Sequence, residues 1–409
     1  MQTRRIFLKN GATALVSLGF APSFLVRTAS ADTRRQRVLV AIFQRGAVDG
    51  LNMVVPFGDK AYYAARPTIA IRQPGGEGGA LDLDEFFAFH PRMAPLHRWY
   101  QDGQLAIVHA CGSPNATRSH FDAQDFMETA TPGVRSTQDG WLNRYLRTRQ
   151  LEEQTPLRAV SLTPQLPVSL KGTAPALAMT NIKRFDLRAA ASVRSSFEEE
   201  YAAAADQALG QTGGEAFEAV KMLRAAEQKG YRPENGARYP RSPFGRALTQ
   251  ISQLIKANVG LEVGFAEVGG WDTHFSQGGD VGRLAARLND FSNGIAAFAQ
   301  DLGSRLQDIV ILTMSEFGRT VNENGSRGTD HGHGNVMLAL GGNVRGGKVY
   351  GKWPGLTPEQ RFEGRDLAIT TDFRDVFGET VVRHLGVRDP SQIFPGYTIS
   401  PNNFVGFLS

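Results

Sequence analysis

The sequence of 409 residues contains a single cysteine, Cys111. One cysteine cannot form an intramolecular disulfide, and it excludes a zinc site built from several thiolates. Long apolar runs are also absent, because no segment after residue 31 approaches the roughly 18 consecutive apolar residues typical of a membrane-spanning helix. We therefore expect the chain after residue 31 to be soluble and to bury a core large enough to fold without disulfides.

The N-terminus has the pattern of a twin-arginine export signal. Residues 3–9 read Thr-Arg-Arg-Ile-Phe-Leu-Lys, a modestly apolar stretch covers residues 12–26, and Ala29-Ser30-Ala31 is a small-residue cleavage site. The apolar stretch is too short, and too broken by glycine, proline and serine, to span a bilayer. We predict a signal peptide over residues 1–31, export of the folded protein by the twin-arginine translocase, and a mature chain in the periplasm or outside the cell.

The charge of the chain gives no indication of a nucleic-acid partner. The full sequence carries a net charge of +5, but four basic residues and no acidic residue lie within residues 1–31, so the mature chain is close to neutral at +1. No basic run interleaved with aromatic residues follows. We therefore expect neither a nucleic-acid groove nor attraction to an acidic membrane surface.

Apolar runs alternate with helical patterns along the mature chain. Continuous apolar runs are typical of strands buried on both faces, and alternation with helices predicts an α/β fold with a mostly parallel central sheet covered by helices on both faces. We expect one domain over residues 32–409. The strand candidates are residues 37–44, 105–110, 263–268, 309–314 and 336–340, and the clearest helical patterns are residues 285–301 and 375–385.

Two regions interrupt this alternation. Residues 71–84 are rich in glycine and predict a flexible surface loop. Residues 185–258 are rich in Ala, Glu, Lys and Arg, with helical periods at 197–209 and 217–227. Because strand candidates resume on both sides, we interpret residues 185–258 as a helical insertion within the domain.

Side chains able to bind metals or anions follow the ends of several strand candidates. In open parallel sheets, ligands bind in the crevice beyond the carboxyl ends of the strands. We therefore expect these side chains to lie close together near one end of the sheet. Three further residues, Asp330, His331 and His333, stand just before the last strand candidate, and we expect them at the same end. The full set is Asp49, Arg118, Ser119, Asp272, His274, Glu316, Arg319, Asp330, His331 and His333.

Most members of this set also have a structural interpretation. Asp49 with Gly50 is a common turn pair, and Ser119 followed by Asp122 has the pattern of a helix N-cap. The polar loop that contains Asp272 and His274 could form hydrogen bonds within itself, and Glu316 could form a surface salt bridge with Arg319. These alternatives stay open at the level of the sequence.

The segment from Asp330 to His333 is the least typical of an ordinary loop. Asp330, His331 and His333 place three metal-competent side chains within four residues, among glycines. Carboxylate oxygens and imidazole nitrogens are ligands for hard or borderline divalent cations. We expect a divalent metal here, Zn²⁺ or Mn²⁺ ahead of Ca²⁺ or Mg²⁺.

Five segments in order resemble the exported bacterial family called domain of unknown function 1501. They are residues 49–52, 118–121, 270–274, 315–320 and 330–334, and the resemblance covers essentially the whole mature chain. That family is in turn distantly similar to the alkaline phosphatase and sulfatase superfamily. The resemblance implies an alkaline-phosphatase-like fold and an esterase core with one or two metals.

The same resemblance implies roles for particular residues. Asp49 would be the first carboxylate ligand and Ser119 the nucleophile, while Asp272 and His274 would form a ligand pair. His331 or His333 would be the late histidine ligand. The chain departs from the superfamily by bringing Asp272 and His274 closer together and by having Glu316-Phe317 where an Asp-His pair is expected.

These residues favour one function and leave one alternative. We expect an exported, metal-dependent hydrolase of phosphate or sulfate esters, acting on an anionic small molecule or a polysaccharide ester, with Arg118 or Arg319 neutralising the anion. The alternative is a non-catalytic exported binding or surface-assembly protein on the same fold. Convergence of Asp49, Asp272 and His274 with a late histidine would discriminate between the two.

Overall fold

The computed structural model describes residues 36–149, 155–182 and 230–409, together with positions 219, 221–223 and 225. The predicted signal peptide over residues 1–31 and the helical period at 197–209 lie outside the described residues. So does most of the helical period at 217–227. The described part of the chain forms two sheets and eight α-helices.

The centre of the molecule is a nine-stranded sheet formed by β1 (Val38–Arg45), β5 (Leu105–Gly112), β6 (Ala159–Ser161), β7 (Leu177–Ala178), β8 (Val263–Gly269), β9 (Ile309–Met314), β10 (Asn335–Gly341), β11 (Lys348–Tyr350) and β12 (Thr371–Asp372). The strand order is β11-β5-β10-β9-β1-β8-β6-β7, and β12 also pairs with β5. Within the described residues, β10 is the one strand of this sheet that runs antiparallel to its neighbours, β5 and β9. The predicted mostly parallel sheet is therefore confirmed.

A second sheet consists of three short strands, β2 (Val54–Val55), β3 (Leu81–Asp82) and β4 (Ala88–Phe89), in the order β2-β4-β3.

The α-helices are α1 (Gly50–Met53), α2 (Lys60–Ala65), α3 (Ala94–Gln101), α4 (His120–Thr129), α5 (Trp141–Thr148), α6 (Pro243–Ala257), α7 (Arg283–Leu302) and α8 (Phe373–Glu379). Helix α8 continues into a π-helical turn, Thr380–His384. Short 3₁₀ turns cover Pro91–Met93, Val168–Leu170, Gly303–Asp308, Pro358–Gln360 and Pro401–Asn403.

Both faces of the central sheet are covered, as predicted. Along β1, alternate side chains enter two different cores: Val40 belongs to the first and Ala41 to the second. Helices α3, α6 and α7 supply side chains to the first core, while α5 and α8 supply the second, where Trp141 stacks on Phe377. A strand buried on both faces needs apolar residues at every position, which explains the continuous apolar run.

Helix α6 belongs to the region interpreted as an insertion. Ser242 caps its N-terminus by accepting a hydrogen bond from the backbone of Gly245, and Pro243 occupies the first turn, where its missing N–H costs nothing. Its apolar side packs on α7 beside the sheet. This described end of residues 185–258 is therefore part of the core of the fold. Among the helices of the described residues, none is long and apolar enough to cross a membrane.

Candidate metal and anion site

Four loops at one edge of the central sheet bring together the candidate functional residues. Three of them follow β5, β8 and β9, whose carboxyl ends lie at this edge. The fourth precedes β10, and because β10 is antiparallel, its start lies at the same edge. A backbone bridge between Arg319 and His331 joins the segment that follows β9 to the segment that precedes β10.

One carboxylate oxygen, Oδ1 of Asp272, is the centre of the site. Three imidazole nitrogens and one guanidinium nitrogen surround it. The distances to Oδ1 are 3.0 Å from His274 Nε2, 3.3 Å from His331 Nε2, 3.6 Å from His120 Nε2 and 2.9 Å from Arg319 Nη2. The ligand atoms of His120, Asp272 and His331 lie within 4.8 Å of one another, a spacing that one metal ion could bridge.

Each of the three imidazoles is held from behind by an oxygen acceptor at Nδ1. In this arrangement Nδ1 carries the proton in the neutral ring, and the lone pair of Nε2 faces Asp272. Histidines that bind metals are usually oriented in this way. The three pairs are His120 Nδ1 with Glu316 Oε1 at 2.8 Å, His274 Nδ1 with Asp330 Oδ1 at 2.9 Å, and His331 Nδ1 with the backbone oxygen of Arg118 at 2.8 Å.

Two features of the Nε2 atoms fit a bound cation. His274 Nε2 and His331 Nε2 are 2.9 Å apart, so their lone pairs repel unless a proton or a metal ion lies against them. His120 Nε2 is buried and accepts no hydrogen bond. Buried polar atoms without a partner are rare in folded proteins. A divalent cation bound by these nitrogens would satisfy both features.

Glu316 lies behind His120, where it cannot reach the centre of the site. It is buried and accepts hydrogen bonds from the backbone of Gly46, His120 Nδ1, Gln124 Nε2 and the hydroxyl of Ser315. Burial raises the pKa of Glu316, but these hydrogen bonds outweigh it and the net pKa is lowered. The hydrogen bond that His120 Nδ1 donates to Glu316 in turn raises the pKa of His120. Glu316 therefore positions His120.

The side chain of Arg319 is fully buried beside the cluster. Its Nη2 donates to Asp272, whereas Nε and Nη1 have no hydrogen-bond partner. Burial lowers the pKa of Arg319, with Asp272 opposing that shift. Burial likewise raises the pKa of Asp272, and the charge of Arg319 with the neighbouring imidazoles reverses this to a net lowering. Arg319 therefore places a buried positive charge beside the cluster, with two N–H donors that no other protein group uses.

Asp49 does not join the cluster. Both of its oxygens pair with the guanidinium of Arg66, at 2.7 and 3.0 Å, and Gln277 donates a further hydrogen bond to it. Asp49 and Arg66 are both fully buried. The charge of this carboxylate is therefore already neutralised within the protein.

The side chains of His333, Arg118 and Ser119 form no hydrogen bond or ion pair with Asp272, and their contacts lie elsewhere. The His333 ring stacks on Phe362, with centroids 4.2 Å apart. The guanidinium of Arg118 is bound by Glu363 and Asp366, so its backbone oxygen, and not its charge, contacts the cluster. The Ser119 hydroxyl caps α4 by accepting from the backbone of Asp122 at 3.5 Å.

Two residues of the site were not singled out from the sequence. His120 stands directly after the N-cap of α4, and Gln124 lies one helical turn later on the same face, so that both reach Glu316 Oε1. The available signal was the pair His120 and Gln124 at i and i+4, a spacing that places two side chains together on one side of a helix.

A family described as "Protein of unknown function (DUF1501)" matches residues 36–374. The chain belongs to this family. No curated protein sequence matches the chain.

Two solved structures are similar to this member of the family. The C-terminal periplasmic domain of EptC from Escherichia coli, crystallised in complex with Zn, is 8% identical, with a TM-score of 0.38 over 75% of this chain and 73% of that one. The sulfatase FucS1 from Pseudoalteromonas sp. is 11% identical, with a TM-score of 0.43 over 93% of this chain and 75% of that one. The chemistry of the site therefore rests on its own residues.

Proposed function

We propose that the protein is an exported hydrolase that depends on a divalent metal and cleaves phosphate or sulfate esters. The observation that carries the proposal is the orientation of His120, His274 and His331. Each ring donates from Nδ1 to an oxygen and directs Nε2 at Asp272 Oδ1, beside the buried guanidinium of Arg319. An ordinary polar loop does not need three imidazoles aligned on one carboxylate oxygen.

The residues that would hold the metal are His120, His274, His331 and Asp272. Three nitrogens and a carboxylate oxygen suit Zn²⁺ or Mn²⁺ better than the all-oxygen ligand sets typical of Ca²⁺ and Mg²⁺. When bound, the metal would polarise the ester and lower the pKa of an attacking hydroxyl or water.

The surrounding residues orient these ligands and stabilise negative charge. Glu316, Asp330 and the backbone oxygen of Arg118 fix the three rings. Arg319 donates to Asp272 from behind, and its buried positive charge would stabilise the negative charge that develops on the ester in the transition state. Asp330 has its pKa lowered chiefly by the hydrogen bond from His274, which keeps it ionised as an acceptor.

Overall, the reaction transfers the phosphoryl or sulfuryl group from the alcohol to water. An oxygen attacks phosphorus or sulfur, the bond to the alcohol oxygen breaks, and the alcohol leaves with one proton that originates from water. Ser119 stands directly before His120 and is the proposed side-chain nucleophile, in which case water releases the group from its hydroxyl in a second step. The proposed site of action is the periplasm or the cell exterior, reached through the twin-arginine translocase.

Metal analysis of the purified mature protein, together with a panel of aryl phosphates, phosphodiesters and aryl sulfates, tests the proposal. We expect bound divalent metal and turnover of at least one ester class, both lost in Asp272→Asn and His331→Ala. His333→Ala is the matched control, because His333 lies outside the cluster, and it should retain the metal. A metal-free protein that recovers neither metal nor activity on addition of Zn²⁺ or Mn²⁺ would refute the proposal.

A further inference from the structure

Helix α4 carries a row of polar side chains that begins at the candidate site. His120, Gln124 and Glu128 are four residues apart, so successive members of the row are neighbours on the helix surface. Glu128 is 2% exposed, although glutamate is rarely buried in folded proteins unless it is paired. The row therefore extends from the site into the interior, where its members need hydrogen-bond partners.

The amide of Gln124 bridges Glu316 and Arg45. Its Nε2 donates to Glu316 Oε1 at 2.8 Å, and its Oε1 accepts from Arg45 Nη1 at 3.1 Å. A guanidinium only donates hydrogen bonds, and an ionised carboxylate only accepts them, so the two ends of the amide cannot be exchanged. Arg45 therefore directs the N–H end of Gln124 toward Glu316.

Arg45 is in turn held by two acidic side chains. Its Nε pairs with Glu267 Oε2 at 2.5 Å, and its Nη1 pairs with Glu128 Oε1 at 2.9 Å. The other oxygen of Glu128 accepts from the backbone and the hydroxyl of Ser169, at 2.8 and 2.9 Å. Because Glu267 lies on β8 and Glu128 on α4, these contacts fix the guanidinium against both the sheet and the helix.

Gln124 is one of three donors to the same oxygen of Glu316. The backbone N–H of Gly46 and Nδ1 of His120 also donate to Oε1, each at 2.8 Å. Glu316 is buried, and a buried carboxylate is stable only while hydrogen bonds compensate for its lost hydration. Loss of the Gln124 donor would weaken the force that holds Oε1 in place against His120.

We propose that Gln124 is a positioning residue of the metal site, which acts on His120 through Glu316 and is itself oriented by Arg45. The proposal rests on the proposed function, in which His120 is a metal ligand. Gln124 and Arg45 form no hydrogen bond or ion pair with Asp272, so their influence on the metal would pass through Glu316. The polar row on α4 would thus connect the site to the sheet.

The affinity of the metal-free protein for Zn²⁺, measured by competition against a chelator, tests the proposal without relying on turnover. Gln124→Met keeps the length of the side chain but removes both hydrogen bonds, and it should lower the affinity about tenfold, the lower end of the effect of removing a group behind a metal ligand. Gln124→Glu has the same shape as glutamine and should lower it further, because it places a second carboxylate against Glu316. Asp125→Asn is the matched control, since Asp125 is exposed on the same helix, and its affinity should be unchanged.

A double variant separates positioning from a general effect on the fold. If Gln124 acts through Glu316, adding Gln124→Met to Glu316→Gln should cause no further loss of affinity. Arg45→Lys should lose less affinity than Arg45→Met, because the ammonium can still donate to the Gln124 oxygen. Circular dichroism of each metal-free variant reports whether the fold is retained.

The outcomes distinguish this inference from the function on which it rests. Equal affinities in Gln124→Met, Asp125→Asn and the unmodified protein would overturn the role of Gln124 and leave the proposed function intact. Losses that simply add in the double variant would show that Gln124 does not act through Glu316 and would also overturn the proposal. An unmodified protein that binds neither Zn²⁺ nor Mn²⁺ would overturn the proposed function as well.

Discussion

The carboxylate of Asp49 and the guanidinium of Arg66 form a fully buried bidentate ion pair, with N–O distances of 2.7 and 3.0 Å. Arg66 also donates to the backbone oxygens of Thr320 and Val321, so it ties the first strand–helix turn to the loop that follows β9. The carboxylate that the family resemblance proposes as a metal ligand thus helps, through Arg66, to join the turn after β1 to a loop that carries the candidate site.

The Asp49–Arg66 pair leads to a prediction in which stability and metal binding separate. Asp49→Asn leaves a buried guanidinium without its charge partner, a change that typically costs about 3–5 kcal/mol of unfolding free energy. We expect the folded fraction of this variant to bind as much metal as the unmodified protein. Chemical denaturation and metal analysis of the same sample measure both quantities.

The control for this prediction is Asp280→Asn, which removes the partner of Arg72 in an exposed pair. Exposed pairs contribute about 1 kcal/mol or less, so this variant should be close to neutral. If Asp49→Asn folds with full stability but loses its metal, Asp49 is a ligand and the interpretation of the ion pair is wrong.

Glu316→Gln tests the positioning of His120. The amide keeps the size of the side chain but removes the negative charge that holds the Nδ1–H of His120. Loss of such a partner behind a metal-binding histidine typically lowers metal affinity by about 10–100-fold. Competition against a chelator measures the affinity, and circular dichroism reports whether the fold is retained.

Glu363→Gln is the matched control for Glu316→Gln, because Glu363 is exposed and contacts Arg118 instead of an imidazole. Its metal affinity should equal that of the unmodified protein. Equal affinities in Glu316→Gln, Glu363→Gln and the unmodified protein would show that Glu316 has no influence on the metal site.

Ser119→Asn distinguishes a nucleophile from a helix cap. Asparagine caps helices about as well as serine, so the variant should keep its stability, whereas Ser119→Ala should lose about 1 kcal/mol. A nucleophilic hydroxyl cannot be replaced by an amide. We therefore expect Ser119→Asn to bind metal normally and to lose ester hydrolysis by several orders of magnitude. Turnover at the unmodified rate would assign attack to water and leave Ser119 as the cap of α4.

The sequence predicted the centre of the sheet better than its edges. Residues 37–44 stood out because β1 is buried on both faces, whereas β7 and β12 have two residues each and carry no periodic signal. The reversed direction of β10 could not be predicted from its own residues, because pairing with β5 and β9 sets it. That reversal places His331 at the edge where β8 and β9 end.

The candidate site shows the same contrast. Asp272, His274 and His331 stand in short polar segments among glycines, and the structure brings them together. Asp49 pairs with Arg66, 17 residues away, and no local pattern indicates that contact. The sequence pattern of a helix cap identifies Ser119. The orientation of the next side chain, His120, depends on the helix that begins there, so no local pattern indicates its place in the site.

The last prediction concerns acid stability and a buried histidine outside the site. His109 accepts a hydrogen bond at Nδ1 from the backbone of Ala110 at 2.8 Å and donates from Nε2 to the oxygen of Val54 at 3.1 Å. The neutral ring therefore satisfies both partners, and burial lowers the pKa of His109 to about 4. In the unfolded chain the same ring has a pKa of about 6.5. Between these values the unfolded state binds more protons, so the unfolding free energy must fall as the pH falls.

His109→Gln should make this dependence on pH shallower, because glutamine can donate to Val54 but does not titrate. The unmodified protein should lose about 3 kcal/mol more than the variant as the pH is lowered from about 7 to about 4. Urea denaturation at several pH values measures how steeply the unfolding free energy depends on pH. The control is His97→Gln, because His97 is partly exposed. Burial likewise lowers the pKa of His90 and of His384 to about 4, so a reduced slope should remain in the variant. If the slopes of His109→Gln and the unmodified protein coincide, the ring of His109 is not the neutral, doubly bonded group that the structure describes.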